Sequence, residues 1–253
     1  MLPDAPAPFR LGPGLIAWLQ ESRRRIGFWG TLRQLSVSFY ELLRDYTPGR
    51  RRLRYGDLEY DWEERVDTTR SNVRLGTRLR EIVAERQYQP CDPGLFREAV
   101  GALAIDYRQF AFVDLGSGKG RALLLAAEFP FRRIQGVELL PELHSIAVQN
   151  ARQFRAGAER QRIELRCGDA RGFAYPSGPL LVFLFDPFPG HVLETVIANL
   201  GKAVRHEPRP LLLVYLNPIS EHVLSNSGWL CRRCGSIQYA VYESSLYPTS
   251  TRP

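Results

Sequence analysis

The sequence predicts an α/β fold: a doubly wound, mostly parallel sheet with an N-terminal helical extension. Three observations predict it. From Gln87 onward, short apolar runs alternate with helical segments, the pattern of a parallel sheet covered on both faces. The run Phe112-Val113-Asp114 leads into Gly116-Ser117-Gly118-Lys119-Gly120, and a helical stretch follows. That order makes a strand, a tight loop and a helix whose N-terminus faces a ligand. Finally, acids recur just past the ends of the later strands, where open α/β sheets bind their ligands.

Taken in order, residues 1–14 are rich in Pro and Gly and read as a poorly ordered start. Leu15 to Tyr46 has apolar residues at helical spacing, with Arg23-Arg24-Arg25 on its wet face. A segment from Asp57 to Thr69 leads to a further helix over Leu75–Arg86. The extension is therefore 1–86 and the sheet domain 87–253. In the latter, a helix over Pro93–Ala104 precedes a strand at Phe110–Asp114 and a helix at Arg121–Phe129. Strand Arg133–Glu138, helix Pro141–Arg155 and strand Arg162–Cys167 follow. Strand Leu180–Phe185, helix Gly190–Val204 and strand Leu211–Leu216 come next. Trp229–Tyr242 is rich in strand formers, interrupted at Cys231–Gly235, and suggests an antiparallel pair.

At 253 residues the chain can bury a sizeable core. It has no apolar run near the ~18 residues that span a bilayer, and its start does not read as a secretory signal. Four cysteines make no disulfide framework in a chain this long, which points to a reducing cytoplasmic setting. The net charge of +7 comes almost wholly from arginine, since Lys119 and Lys202 are the lysines. No basic run is interleaved with aromatics, so nucleic acid is not the favoured partner. Cys231 and Cys234 have the spacing of half a zinc site but no second pair, and no metal is expected.

The glycine spacing selects among nucleotide folds. A phosphate loop needs Gly-x-x-x-x-Gly-Lys-Ser/Thr, yet Gly120 follows Lys119. A dinucleotide loop wants a third glycine where Arg121 stands. Lys119 then has no phosphate to bind and reads as a solvated loop residue. The observed spacing, led by Asp114, resembles motif I of the class I S-adenosylmethionine (SAM) dependent methyltransferases. Glu138 lies roughly 20 residues on, where an acid reaches ribose hydroxyls. Cys167-Gly168-Asp169-Ala170 resembles that family's adenine pocket, and Asp186-Pro187-Phe188 its Asn/Asp-Pro-Pro-aromatic acceptor motif, with the aromatic one place early.

As a set these residues resemble the class I family across residues 87–253. Tyr88-Gln89-Pro90 adds a likeness to non-SET protein lysine methyltransferases, in which the equivalent tyrosine segment closes over the cofactor. Val66-Asp67-Thr68 and Pro130-Phe131-Arg132-Arg133 add one to a group of bacterial methyltransferases. The resemblance implies a Rossmann-like sheet of seven strands with an antiparallel C-terminal strand. It implies SAM as methyl donor, contacted by Asp114, Gly116, Ser117, Gly118, Gly120, Glu138, Asp169 and Ala170. It implies acceptor handling by Asp186, Pro187, Phe188 and Tyr88. The expected activity is methyl transfer, to a protein amine ahead of a small-molecule nitrogen or oxygen. A non-catalytic SAM- or nucleotide-binding module is the alternative. His191 reads as a helix-start residue, and Asn217-Pro218 as a helix start or a lining of the cleft.

Overall fold

The computed structural model describes residues 23–24, 27–30, 32–33, 36, 58–69, 88–154 and 163–247. The chain forms two compact units, Met1–Gly56 with Val73–Gln87, and Asp57–Asn72 with Tyr88–Pro253. The segment 57–72, assigned to the extension on sequence, thus clusters with the sheet. In the first unit the described residues are helical, with Arg23 and Arg24 exposed. The expected helix over Leu75–Arg86 and most of Leu15–Tyr46 lie outside the described residues.

The second unit is a seven-stranded sheet in the order β3-β2-β1-β4-β5-β7-β6. Its strands are β1 (Ala111–Leu115), β2 (Arg133–Glu138), β3 (Ile163–Cys167), β4 (Leu180–Phe185), β5 (Leu211–Leu216), β6 (Leu230–Gly235) and β7 (Tyr239–Ser244). The first five are parallel neighbours, while β7 runs antiparallel to both β5 and β6. The helices are α1 (Leu58–Glu64), α2 (Pro93–Gly101), α3 (Arg121–Ala126), α4 (Pro141–Gln153), α5 (Gly190–His206) and α6 (Glu221–Ser225).

Strand alternation sorts the core into two layers. Phe112, Phe183, Leu212, Val214 and Val241 face one side and pack with Phe96 of α2 and Leu123–Leu125 of α3. Phe96 meets Phe183 at 5.2 Å between ring centroids and Phe112 at 5.9 Å. Val113, Leu115, Val182, Leu184, Leu213 and Tyr215 face the other side, against Leu193, Val196, Ile197 and Leu200 of α5. Burial on both faces is why β4 and β5 read as unbroken apolar runs. Asp92 caps α2 by accepting from Leu95 N at 2.7 Å, with Pro93 in the first turn.

One expectation fails at the sheet edge. Cys231–Gly235 does not interrupt a strand: it belongs to β6, and the break falls after it, between β6 and β7. β6 is an edge strand, held by main-chain pairing and exposed over most of its length. A register shift between Arg232 and Cys234 leaves Cys231 opposite Glu243 and Cys234 opposite Val241, which puts both cysteines on one face. Among the described residues, no helix is long and apolar enough to cross a membrane. Nor, among them, does any group of three or more His, Cys, Asp or Glu side chains sit where it could hold a metal ion.

Candidate cofactor and acceptor site

The residues singled out on sequence converge on the carboxyl ends of β1, β2, β4 and the turn after β3. Asp114 pairs with Gly136 in the parallel register, so Glu138 lies two residues further along the same face of β2. Both acids are buried. Burial pushes Asp114 well above the ordinary carboxyl range, and the neighbouring Glu138 pushes it further. Burial also raises Glu138, against the opposing effect of main-chain hydrogen bonds. Glu138 accepts from Gly118 N and from Leu140 N, each at 2.8 Å. Among the described residues nothing hydrogen-bonds the Asp114 carboxyl, and no side-chain cation offsets its burial. A buried acid pair of this kind is neutralised by a proton or offset by a cation.

The glycine loop between them is fixed by its backbone. Gly116 N and Ser117 N donate to Val137 O at 2.9 and 3.0 Å. Ser117 turns its side chain onto Gly136, where its buried hydroxyl has no partner among the described residues. Gly116 and Gly118 have φ of 84° and 53°, in the region that disfavours side chains. Each also has a close neighbour. A Cβ at Gly116 would lie 2.5 Å from Pro187 Cβ, and one at Gly118 would lie 2.6 Å from Tyr88 Cδ2. Pro187 and Tyr88 therefore pack directly on the loop. The Tyr88 hydroxyl donates to Thr68 O at 2.6 Å. Gly120, with φ 88°, caps α3.

Asp169 starts a short 3-10 turn and accepts from Arg171 N at 2.8 Å. Arg171 also grips the carboxylate through Nε at 2.9 Å and a terminal guanidinium nitrogen at 2.6 Å. That contact holds Asp169 below the ordinary range. Ala170 beside it is buried. After β4, Asp186 has φ of 40°, and after β5 Asn217 has φ of 50°. Such backbone is uncommon outside glycine, though Asn and Asp tolerate it best. Tyr215, fully buried on β5, donates its hydroxyl to Asp186 Oδ1 at 2.9 Å. Tyr215 pairs with Leu184, and Asp186 comes two residues later, just past the end of β4. Phe188 is partly buried against the α5 side of the core. His191 is the exposed second residue of α5.

Three functional-looking residues were not found from sequence. Tyr215 hides in an apolar run. Lys119 is not a solvated loop residue: it is fully buried, at 0% exposure, and donates to Asp67 Oδ1 at 2.8 Å and Thr69 O at 2.6 Å. Arg121, noted on sequence only as a missing glycine, is buried too. Its Nε donates to Thr68 Oγ1 at 2.6 Å, and its guanidinium pairs with Asp61 at 3.3 Å. The Asp67 and Thr68 of the Val66-Asp67-Thr68 likeness were the available signal.

The seven strands, their order and the reversed β7 are those of the α/β methyltransferase fold. No protein-family model matches the chain, and no curated protein does. Among solved structures it is similar to an RNA methyltransferase from Salinibacter ruber in complex with S-adenosylhomocysteine, at 19% identity and a TM-score of 0.44, over 65% of this chain and 96% of that one. It is similar to the glycopeptide N-methyltransferase MtfA complexed with SAM, at 12% identity and a TM-score of 0.47, over 64% and 90%. It is also similar to a predicted N6-adenine-specific DNA methylase from Listeria monocytogenes, at 14% identity and a TM-score of 0.47, over 61% of this chain and 51% of that one.

Proposed function

We propose that the chain is a SAM-dependent methyltransferase of the cytoplasm that acts on an amine, a protein lysine ahead of a small molecule. The observation that carries the reading is the pair of buried acids, Asp114 and Glu138, on either side of a glycine loop. Asp114 would face the methionine ammonium of the cofactor, and Glu138 its ribose diol. Gly116 and Gly118 let Pro187 and Tyr88 pack on the loop that would hold the cofactor. Asp169 and Ala170 would border the adenine, with Asp169 oriented by Arg171. Bound there, SAM supplies a methyl group on a sulfonium, which is already a good leaving group.

The chain's own residues would do the rest by positioning. Asp186, held at Oδ1 by Tyr215, would orient the acceptor nitrogen opposite the sulfur. Pro187 would seat that loop against Gly116, and Phe188 and Tyr88 would wall the acceptor side. An amine must shed a proton, and desolvation beside a carboxylate favours this. Alignment of this kind lowers a barrier by ~7–11 kcal/mol in well-oriented systems.

The test is an assay with tritiated SAM on protein and metabolite extracts of the source cell. Label in acid-precipitable protein is expected. Label confined to small molecules would replace the protein amine with a small-molecule nitrogen or oxygen. Binding of S-adenosylhomocysteine with no transfer to either fraction would leave a non-catalytic module.

A further inference from the structure

The two cations of the glycine loop are used in a way that no phosphate or dinucleotide loop would require. Helix α1 ends at Glu64, and Arg65 turns the chain back with φ of 56°. Val66 N then donates to Asp61 O at 3.0 Å. Asp61 organises the turn: its carboxylate accepts from Thr68 N at 2.7 Å, from Thr69 N at 2.8 Å and from the Thr68 hydroxyl. The strap Asp61–Thr69 made in this way is fastened to the loop at several points. Lys119 reaches Asp67 and Thr69 O, and Arg121 reaches Thr68 and Asp61. Asn150 of α4 donates to both Asp67 O and Lys119 O, at 2.8 and 2.9 Å, and accepts from Asp67 N at 2.8 Å.

These contacts close a ring. Lys119 follows Gly118; the Tyr88 ring rests on Gly118; the Tyr88 hydroxyl is held by Thr68; and Thr69 is held by Lys119. Gly118 N in turn holds Glu138. The loop cannot shift without moving the strap, and the strap cannot lift without releasing Tyr88.

We infer that the strap Asp61–Thr69, fastened by Lys119 and Arg121, is a positioning element of the cofactor site that sets affinity for SAM without touching it. The inference rests on the SAM reading above. Lys119 is the most informative residue to cut. Its removal cuts the bonds to Asp67 and Thr69 O while those of Arg121, Asn150 and Tyr88 stay, and Asp67, with a side chain 39% exposed, is able to take up water.

The experiment compares wild type with Lys119→Met in the full chain, using S-adenosylhomocysteine as the probe. Affinity is read by calorimetry, and strap opening by trypsin cleavage after the exposed Arg65, followed by mass. Wild type should bind, and binding should slow cleavage at Arg65. Lys119→Met should lose at least about tenfold in affinity and be cut faster at Arg65 under conditions where circular dichroism shows it folded. A merely structural lysine would lower the melting temperature and leave the affinity of the folded protein unchanged, which would overturn the inference. If Lys119→Met does not fold, Tyr88→Phe cuts only the hydroxyl contact to Thr68. It should weaken binding roughly two- to tenfold, the worth of one net hydrogen bond, and wild-type affinity there would overturn the inference as well. Wild type that fails to bind the probe would instead sink the SAM reading beneath it.

Discussion

Gly118→Ala tests the packing of the loop most directly. The new methyl meets two penalties of separate origin. At φ of 53° an L-residue costs ~1–2 kcal/mol relative to glycine. The Cβ would also stand 2.6 Å from Tyr88 Cδ2, so the ring must leave. The ring is not free to do so cheaply, because its hydroxyl is bound to Thr68 O at 2.6 Å. Losing that bond costs ~1 kcal/mol, and lost ring contacts bring the sum to about 2–4 kcal/mol. Thermal unfolding should register a fall of roughly 5–15 °C, with S-adenosylhomocysteine binding sharply weakened. A double-mutant cycle separates the two penalties. In a Tyr88→Ala background the same substitution should cost only the backbone share, ~1–2 kcal/mol. A Gly118→Ala protein within ~0.5 kcal/mol of wild type, or equal costs in both backgrounds, would refute the reasoning.

Three further outcomes are expected. Asp114 and Glu138 hold protons more tightly folded than unfolded. The native state therefore binds more protons across that window, and stability falls as pH rises from the ordinary carboxyl value through the folded one. A cationic ligand on Asp114 reverses this, so SAM should bind more tightly as pH rises through the window and release a proton; calorimetry in buffers of different ionisation enthalpy would read zero exchange if Asp114 is not the partner. Arg121→Met leaves Asp61 buried without its cation and should cost ~3–5 kcal/mol in urea unfolding; a loss under ~1 kcal/mol would mean the pair contributes no more than a surface one. Asp186→Ala should abolish transfer while S-adenosylhomocysteine still binds, and Tyr215→Phe should lower kcat about tenfold with KM for SAM unchanged. Loss of cofactor binding in either variant would place Asp186 in the wrong half of the site.

What could be read from sequence follows from what each element depends on. The strands Leu180–Phe185 and Leu211–Leu216 fall where the apolar runs put them, because burial on both faces writes itself into composition. Helix Pro93–Gly101 begins where Asp92 and Pro93 announce it and ends short of Ala104, which turns with φ of 52°. The antiparallel C-terminal pair was legible, but its break was misplaced at Cys231–Gly235, because an edge strand needs main-chain partners and no apolar face. Asp114, Glu138, Asp169 and Asp186 stand out in the sequence because each lies at or just past the carboxyl end of a strand. Lys119 and Arg121 were misjudged because their partners lie 50 and more residues earlier in the chain, and no local pattern reports a contact of that span. Tyr215 is invisible for another reason: in a run of buried side chains, a single hydroxyl has no signature until its neighbour on β4 is known.

The strap has a consequence for how the protein can be cut down. A fragment beginning at Tyr88 would keep every strand of the sheet and every acid of the site. It would also strip Asp61, Asp67 and the Thr69 carbonyl from a buried lysine and a buried arginine, and would leave both cations beside an apolar core without these anionic partners. Stranded charges of that kind cost several kcal/mol each, comparable with the whole margin by which a domain stays folded. The compact unit that carries the sheet therefore takes in Asp57–Asn72 as well as Tyr88–Pro253, and the start of the strand-and-helix alternation in the sequence is not the start of that body.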